Sequence, residues 1–196
     1  MFKIGLRIRQ VRRQRELTLA DIAQRTGFSK GLLSKIENFR ALPSLPVLAG
    51  IARSLNIGME SLVKNIGFEE AAPHQLIPAD RRVPLKREKA RGFNYAALMS
   101  QALGDIGFES FVLTLKPGAK RKTVSTDGDE FIFMLKGRIK FVLGKESFIL
   151  STGDAFYFDG RAPHVPVNLT KSPAELLVIY LLKQRNSKGN HEDSSN

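Results

Sequence analysis

Apolar residues in the first third of the chain recur three and four positions apart. Ile4, Ile8 and Val11 share one side of a helix running roughly from Lys3 to Arg15, with Arg7, Arg9, Arg13 and Arg15 spread over a solvated outer surface. Thr18 to Asp21 reads as a capping box, Thr18 as N-cap and Asp21 returning to its backbone amide, so a second helix spans Leu19 to Thr26. Gly27 supplies a tight turn and Ser29 a cap for a third helix reaching Asn38. On that helix Leu33 and Ile36 fall on one side, and Lys30, Gly31, Ser34, Lys35 and Asn38 on the other. Asn38 to Pro43 form a loop with Arg40 at its tip. Ser44 opens a fourth helix that tolerates Pro46 in its first turn and turns Leu48, Ala52 and Leu55 to the core. Gly58 precedes a fifth, Met59 to Val63.

The pattern changes after Lys64. Asn65 to Pro78, with Gly67, Glu69, Glu70, Pro73 and Pro78, reads as a linker. Beyond it the apolar stretches are short: 93–99, 108–115, 130–135, 139–143, 147–150, 155–158 and 175–182. Turn signals at Pro117-Gly118, Asp127-Gly128, Lys136-Gly137, Gly144, Gly153-Asp154 and Asp159-Gly160 separate them. Short strands at regular spacing predict an antiparallel sandwich or barrel. Residues 184–196 carry no aliphatic side chain and read as a disordered tail. The domain boundaries are therefore 1–64 for an all-α unit, 65–78 for a linker, 79–183 for an all-β antiparallel unit and 184–196 for the tail.

Composition sharpens the picture in three ways. The 196 residues carry a formal net charge of +12, which favours polyanionic partners. The excess is not confined to one half: residues 1–72 hold twelve Lys and Arg against six Asp and Glu, leaving nineteen against thirteen beyond. With no cysteine there is no disulfide and no thiolate metal site, which fits a reducing compartment. No apolar run is long enough to span a bilayer and the amino-terminal stretch lacks a signal-peptide core, so a cytoplasmic protein with no membrane partner is expected.

A helix, a short glycine-containing turn and a second helix presenting small and cationic side chains is the physical form of a helix-turn-helix. The whole unit, from Arg12 through LTLADIAQRTGFS, LLSKIEN, Pro43-Ser44 and Ile51 to Ile57, resembles the Cro/repressor or XRE class of helix-turn-helix domains. The resemblance implies that Lys30, Gly31, Ser34 and Lys35 face bases, that Asn38 and Arg40 approach phosphates, and that Arg12 and Glu37 form an ion pair between the first and third helices. Many members have glutamine at the Leu19 position to hold a phosphate, and leucine cannot. Lysine and serine can also donate to guanine acceptors or phosphate on chemical grounds, while Gly31 permits close approach.

The second half resembles the small single-domain cupins, a β-barrel family. Gly118, Val124, Thr126, Glu130 and Gly137 stand where that family's first motif has Gly, two His, Glu and Gly. Gly153-Asp154, Pro163-His164 and Asn168 follow the second motif, with Asp159 where proline is usual. Both motif histidines at 124 and 126 are missing, so no metal and no cofactor is expected. Thr126, Glu130 and His164 either line a pocket for an organic effector or are satisfied inside the barrel. Lys120-Arg121-Lys122 either steers an anion to the barrel mouth or is a solvated loop. The run Arg81, Arg82, Lys86, Arg87, Lys89 and Arg91 either touches flanking DNA or is a solvated segment. Tyr95 and Tyr157, on predicted strands, face either the pocket or the outer surface, with core packing as their default role.

The two likenesses together imply a sequence-specific DNA-binding transcriptional regulator, not an enzyme, whose cupin domain senses a small molecule, dimerises, or both. Its partners would be double-stranded operator DNA, an effector and a second copy of the chain. The alternative is a metal-dependent cupin oxygenase or isomerase fused to a DNA-targeting domain.

Overall fold

The computed structural model describes residues 2–64, 74–85, 87, 90–104 and 106–183. Five helices come first: α1 (Phe2–Gln14), α2 (Leu19–Thr26), α3 (Lys30–Glu37), α4 (Leu45–Ser54) and α5 (Met59–Val63). Their ends follow local chemistry. The Thr18 amide donates to Asp21 Oδ2 at 2.6 Å while the Asp21 amide donates to Thr18 Oγ1 at 3.2 Å, so both arms of the capping box are made. Gly27 takes a left-handed φ of 72°, which turns the chain into Ser29, whose hydroxyl accepts from the Leu32 amide at 3.1 Å. Ser44 sits at the N-cap of α4 without a side-chain cap bond. Ile8, Val11, Ile22, Leu33, Ile36, Leu48, Ile51, Leu55 and Leu62 form the helical core.

Among the described residues a short 3-10 turn, Ala79–Arg81, leads into nine strands: β1 (Val83–Leu85), β2 (Arg91–Leu103), β3 (Ile106–Lys120), β4 (Gly128–Lys136), β5 (Arg138–Leu143), β6 (Glu146–Ser151), β7 (Ala155–Asp159), β8 (His164–Val167) and β9 (Ala174–Lys183). All pair antiparallel, in one six-stranded sheet ordered β1-β2-β3-β9-β4-β7 and one three-stranded sheet ordered β6-β5-β8. The predicted barrel is thus two hydrogen-bonded sheets around a shared interior. Alternation decides what points inward: on β9, Ala174, Leu176, Val178, Tyr180 and Leu182 are buried while the residues between them are not.

The seven expected strands are present, and β2, β3 and β9 run longer than their apolar cores. Two further strands lie outside the expected seven: β1 contains Pro84, and β8 is four residues, His164–Val167, with Pro166 inside it. Proline withholds a ladder donor, which is why both strands are short. Of the expected linker, residues 65–73 lie outside the described residues, as does the expected tail.

The two units are joined by contact as well as by chain. Phe39, immediately after α3, has a φ of 61° and belongs to the core of the β unit, with Leu6 and Leu42 packed beside it. Gly5 permits this: a Cβ there would lie 2.5 Å from the Ile36 carbonyl oxygen and 2.9 Å from the Phe39 ring.

Candidate nucleic-acid interface and cupin pocket

The face of α3 divides along its length. Lys30 and Gly31, at its start, are exposed, and a Cβ at Gly31 would meet only the Ser29 hydroxyl at 3.9 Å, so a groove wall can approach closely. Ser34 and Lys35 are half-buried. Lys35 Nζ lies 2.5 Å from Asp127 Oδ1, on the turn before β4. Leu19, where a glutamine would hold phosphate, instead packs on the helical core.

Asn38 and Arg40, expected to approach phosphates, are both buried, at 5% and 3% exposure. Asn38 is fully used: its Nδ2 donates to Ser34 O at 2.8 Å, its Oδ1 accepts from Arg9 Nη2 at 2.6 Å, and its carbonyl accepts from Arg87 Nη2. The Arg40 carbonyl accepts from the Asp127 amide at 2.7 Å.

Glu37 anchors the same end of α3. Arg12 Nε and Nη2 donate to its two carboxylate oxygens at 2.6 and 2.7 Å, making the pair between the first and third helices bidentate. Arg9, expected on a solvated face, is buried instead. Its Nη2 donates to Glu37 O at 2.7 Å and its Nε lies 3.4 Å from Glu37 Oε2. Burial pushes the Arg9 guanidinium below its ordinary value, against the opposing pull of Glu37. Periodicity could not separate Arg9 from its neighbours, because it is a second domain that covers it.

Inside the β unit Thr126, Glu130 and His164 come together, all at most 2% exposed. His164 Nδ1 lies 2.9 Å from the Ala162 carbonyl oxygen, which can only accept, so Nδ1 carries a proton and Nε2 is turned to Glu130 Oε1 at 3.2 Å. The His164 ring is stacked on Phe141 and edge-on to Phe158. Desolvation pushes the Glu130 carboxyl up, but His164, Thr126 and the charge of Arg40 together outweigh it and hold the group below the ordinary 4.5. Thr126 Oγ1, Glu130 Oε1 and His164 Nε2 are nonetheless not aligned as hydrogen bonds with one another or with another protein group. Gly160 closes over them: a Cβ there would fall 3.0 Å from Glu130 Cγ and 3.1 Å from Thr126 Cβ.

Glu130 and His164 line a cavity of about 10 Å³, with room for about one water, whose walls include Tyr95, Phe111, Arg121, Phe141 and Tyr180. Tyr95 therefore faces the pocket, whereas Tyr157 is exposed. Arg121 is not a solvated loop residue: its guanidinium lies 4.9 Å over the Phe93 ring and donates to Tyr95 Oη at 2.9 Å. A cupin metal does not fit this donor set. Valine at 124 offers no lone pair, the hydroxyl of Thr126 is a poor substitute for imidazole, and no group of three or more His, Asp and Glu converges among the described residues.

Residues 111–180 match the family profile of the cupin domain, and residues 3–62 that of a helix-turn-helix domain. The immunity repressor protein of Bacillus phage phi105 is 30% identical over 101 residues, covering 47% of this chain and 70% of its own. The ImmF control region 10 kDa protein of the same phage is 34% identical over 77 residues, covering 36% of this chain and 86% of its own. The chain belongs to the XRE class of helix-turn-helix regulators and carries a cupin domain. An HTH_3 family transcriptional regulator from Vibrio cholerae superposes with a TM-score of 0.48 at 22% identity, covering 91% of this chain and 94% of its own.

For an XRE regulator, the site residue that the sequence concealed most completely is Arg87. It sits in a basic run read as solvated or DNA-flanking, yet only 7% of it is exposed. Its guanidinium carbon lies 4.9 to 5.8 Å from the ring centroids of Phe111, Tyr95, Tyr180 and Phe39, its Nη1 donates to Tyr180 Oη at 3.1 Å, and its carbonyl accepts from Arg9 Nη1 at 3.3 Å. Arg87 is thus a clamp between the DNA-reading unit and the cupin. Among the described residues, no helix is long and apolar enough to cross a membrane.

Proposed function

We propose that this protein is a sequence-specific DNA-binding regulator in which Lys30, Gly31, Ser34 and Lys35 read the major groove and the cupin domain senses a small-molecule effector. The observation that carries the reading is the bond between the two units at Asp127. Its carboxylate holds Lys35 of the recognition helix and its amide holds the Arg40 carbonyl, while its chain neighbour Thr126 lies in the Glu130–His164 cluster. Thr126 and Asp127 are held in one turn, in which the Thr126 amide donates to Gly160 O at 2.7 Å and the Gly128 amide to Thr126 O at 3.0 Å. A molecule that enters the cluster displaces the turn that grips the recognition helix. It shifts DNA affinity only as far as it prefers one of the two arrangements over the other.

The docked arrangement is the low-affinity state, because Lys35 cannot serve Asp127 and DNA at once. Two copies bind a pseudo-palindromic operator as a homodimer, each reader taking one half-site a helical turn apart. The effector pocket is built by Thr126, Glu130 and His164, and no metal chemistry is assigned to it.

Fluorescence anisotropy tests the DNA half. A fragment enriched by selection with this protein is titrated against scrambled DNA over a salt series. At least about a thousandfold tighter binding of the selected fragment is expected. Equal affinities that salt abolishes together would mean that the +12 charge alone binds DNA.

A further inference from the structure

The interior of the cupin domain is closed by the chain's own guanidinium groups. Arg87 lies among four aromatic rings, three of which, Tyr95, Phe111 and Tyr180, also wall the cavity that Glu130 faces. Arg40, from the reader, is close enough for its charge to act on Glu130. Aromatic faces and a buried carboxylate are the two elements that recognise an organic cation: the rings supply negative quadrupole potential and the carboxylate supplies the counter-charge. A cation can donate to the Glu130 oxygen Oε1, which has no aligned hydrogen bond, whereas an anion would meet its negative charge across a buried, poorly screened distance.

Building on the effector-sensing reading above, we propose that the cupin cavity is a site for an organic cation, a primary alkylammonium or a monoalkylguanidinium, and that Arg87 is its internal stand-in. A cavity of about 10 Å³ has no room for a second cationic group beside Arg87, and two like charges on the same rings repel. Binding is therefore exchange. The ligand takes the rings and Glu130, and Arg87 leaves, releasing the Asn38 carbonyl and Arg9, both of which belong to the end of α3 that the cupin covers. Ligand binding and release of the recognition helix are then one event.

The test is calorimetry on the full chain with four probes of similar size: propylguanidinium, butylammonium, butanol and butyrate. Both cations are expected to bind, and Glu130→Gln to abolish their binding. Arg87→Ala is expected to bind them at least about tenfold tighter, because the internal competitor is gone. If Arg87→Ala does not fold, Arg87→Lys, which keeps the charge but loses the flat guanidinium face, is expected to tighten binding by a smaller factor. Saturating cation at fixed ionic strength is expected to change the affinity for the selected DNA. Failure of every probe to bind wild type and both Arg87 variants would overturn the cation site. Butanol or butyrate binding as well as the cations, in a Glu130-dependent way, would overturn the ligand class while leaving effector sensing intact. Cation binding with no change in DNA affinity would overturn the sensing reading and the release step together.

Discussion

Replacing Asp127 with asparagine removes one charge from the contact that restrains the recognition helix and leaves its backbone bond to Arg40 in place. The Lys35–Asp127 distance is 2.5 Å, and the two side chains are 29% and 18% exposed. A hydrogen bond to a charged group contributes about 1.5–3 kcal/mol when well shielded, and a solvent-exposed ion pair about 0–1 kcal/mol. This half-buried pair lies between those limits, at about 1–2 kcal/mol. If the docked form predominates, its loss raises the population of released reader about 5- to 30-fold, and the apparent Kd for operator DNA falls by the same factor. Anisotropy on the selected fragment at constant salt reads this directly. Removing any acidic charge also favours DNA, so Asp129→Asn is the control. Asp129 is two residues away, and its Oδ2 lies 3.9 Å from Lys183 Nζ. A gain confined to Asp127→Asn supports an intrachain competitor for Lys35. Equal gains in both variants, or none in either, would refute it.

Three other predictions concern the frame of the site. Glu37→Gln leaves Arg9, which is buried, and Arg12, which is half-buried, without their carboxylate and should destabilise the chain by about 3–5 kcal/mol; a urea midpoint shift equivalent to less than about 1 kcal/mol would show that other groups neutralise them. Gly5→Ala drives a Cβ against the Ile36 carbonyl oxygen and the Phe39 ring, so it should lower the melting temperature and expose the contact between the units to limited proteolysis; an unchanged digest would mean that α1 moves away without cost. The folded Glu130 carboxyl lies below its ordinary 4.5, so its contribution to stability is complete above that value and is lost as pH falls through the lower folded one. Melting temperatures followed from about pH 6 to about pH 3 should therefore fall, and Glu130→Gln should flatten that acid limb; parallel limbs in the two proteins would place the acid transition elsewhere.

Most of the helical unit was legible because its signals are local. Capping at Thr18 and Ser29, the turn at Gly27 and the three- and four-residue apolar repeat each act within a few positions, and all appear as read. The strands were legible for the same reason wherever apolar residues alternate, as in β9. What escaped was set by contacts between residues far apart in sequence. Arg9 and Arg87 lie in charged stretches that read as solvated, Arg40 at a loop tip that reads as a phosphate contact, and all three are buried in the folded chain. Phe39 gives no hint that it serves the cupin core and not the helical one. Asp127 reads as a turn residue before glycine, which it is, and its bond to Lys35 spans 92 positions. Glu130 and His164 were found through motif spacing, whereas the rings around them became pocket walls only once strand register was fixed.

The buried end of α3 constrains how such a regulator can work. Asn38 and Arg40 match positions that approach phosphates in the XRE pattern, and here Arg87 and Asp127 bind their carbonyls and both residues are buried. On the proposed reading DNA and cupin claim one surface, so that tight docking and full operator contact exclude each other. The balance is set by few bonds. Lys35–Asp127 is half-buried and screened, whereas Arg87 is deeply buried and joins both units through its rings and its hydrogen bonds. Salt should weaken the first and leave the second nearly intact. A change in salt alone thus acts mainly through Lys35 and phosphate, while a change that reaches Arg87 from inside the cupin acts on the docking itself. On the sensing reading proposed above, control of DNA binding by the cupin draws its strength from Arg87 and reaches the groove through Asp127.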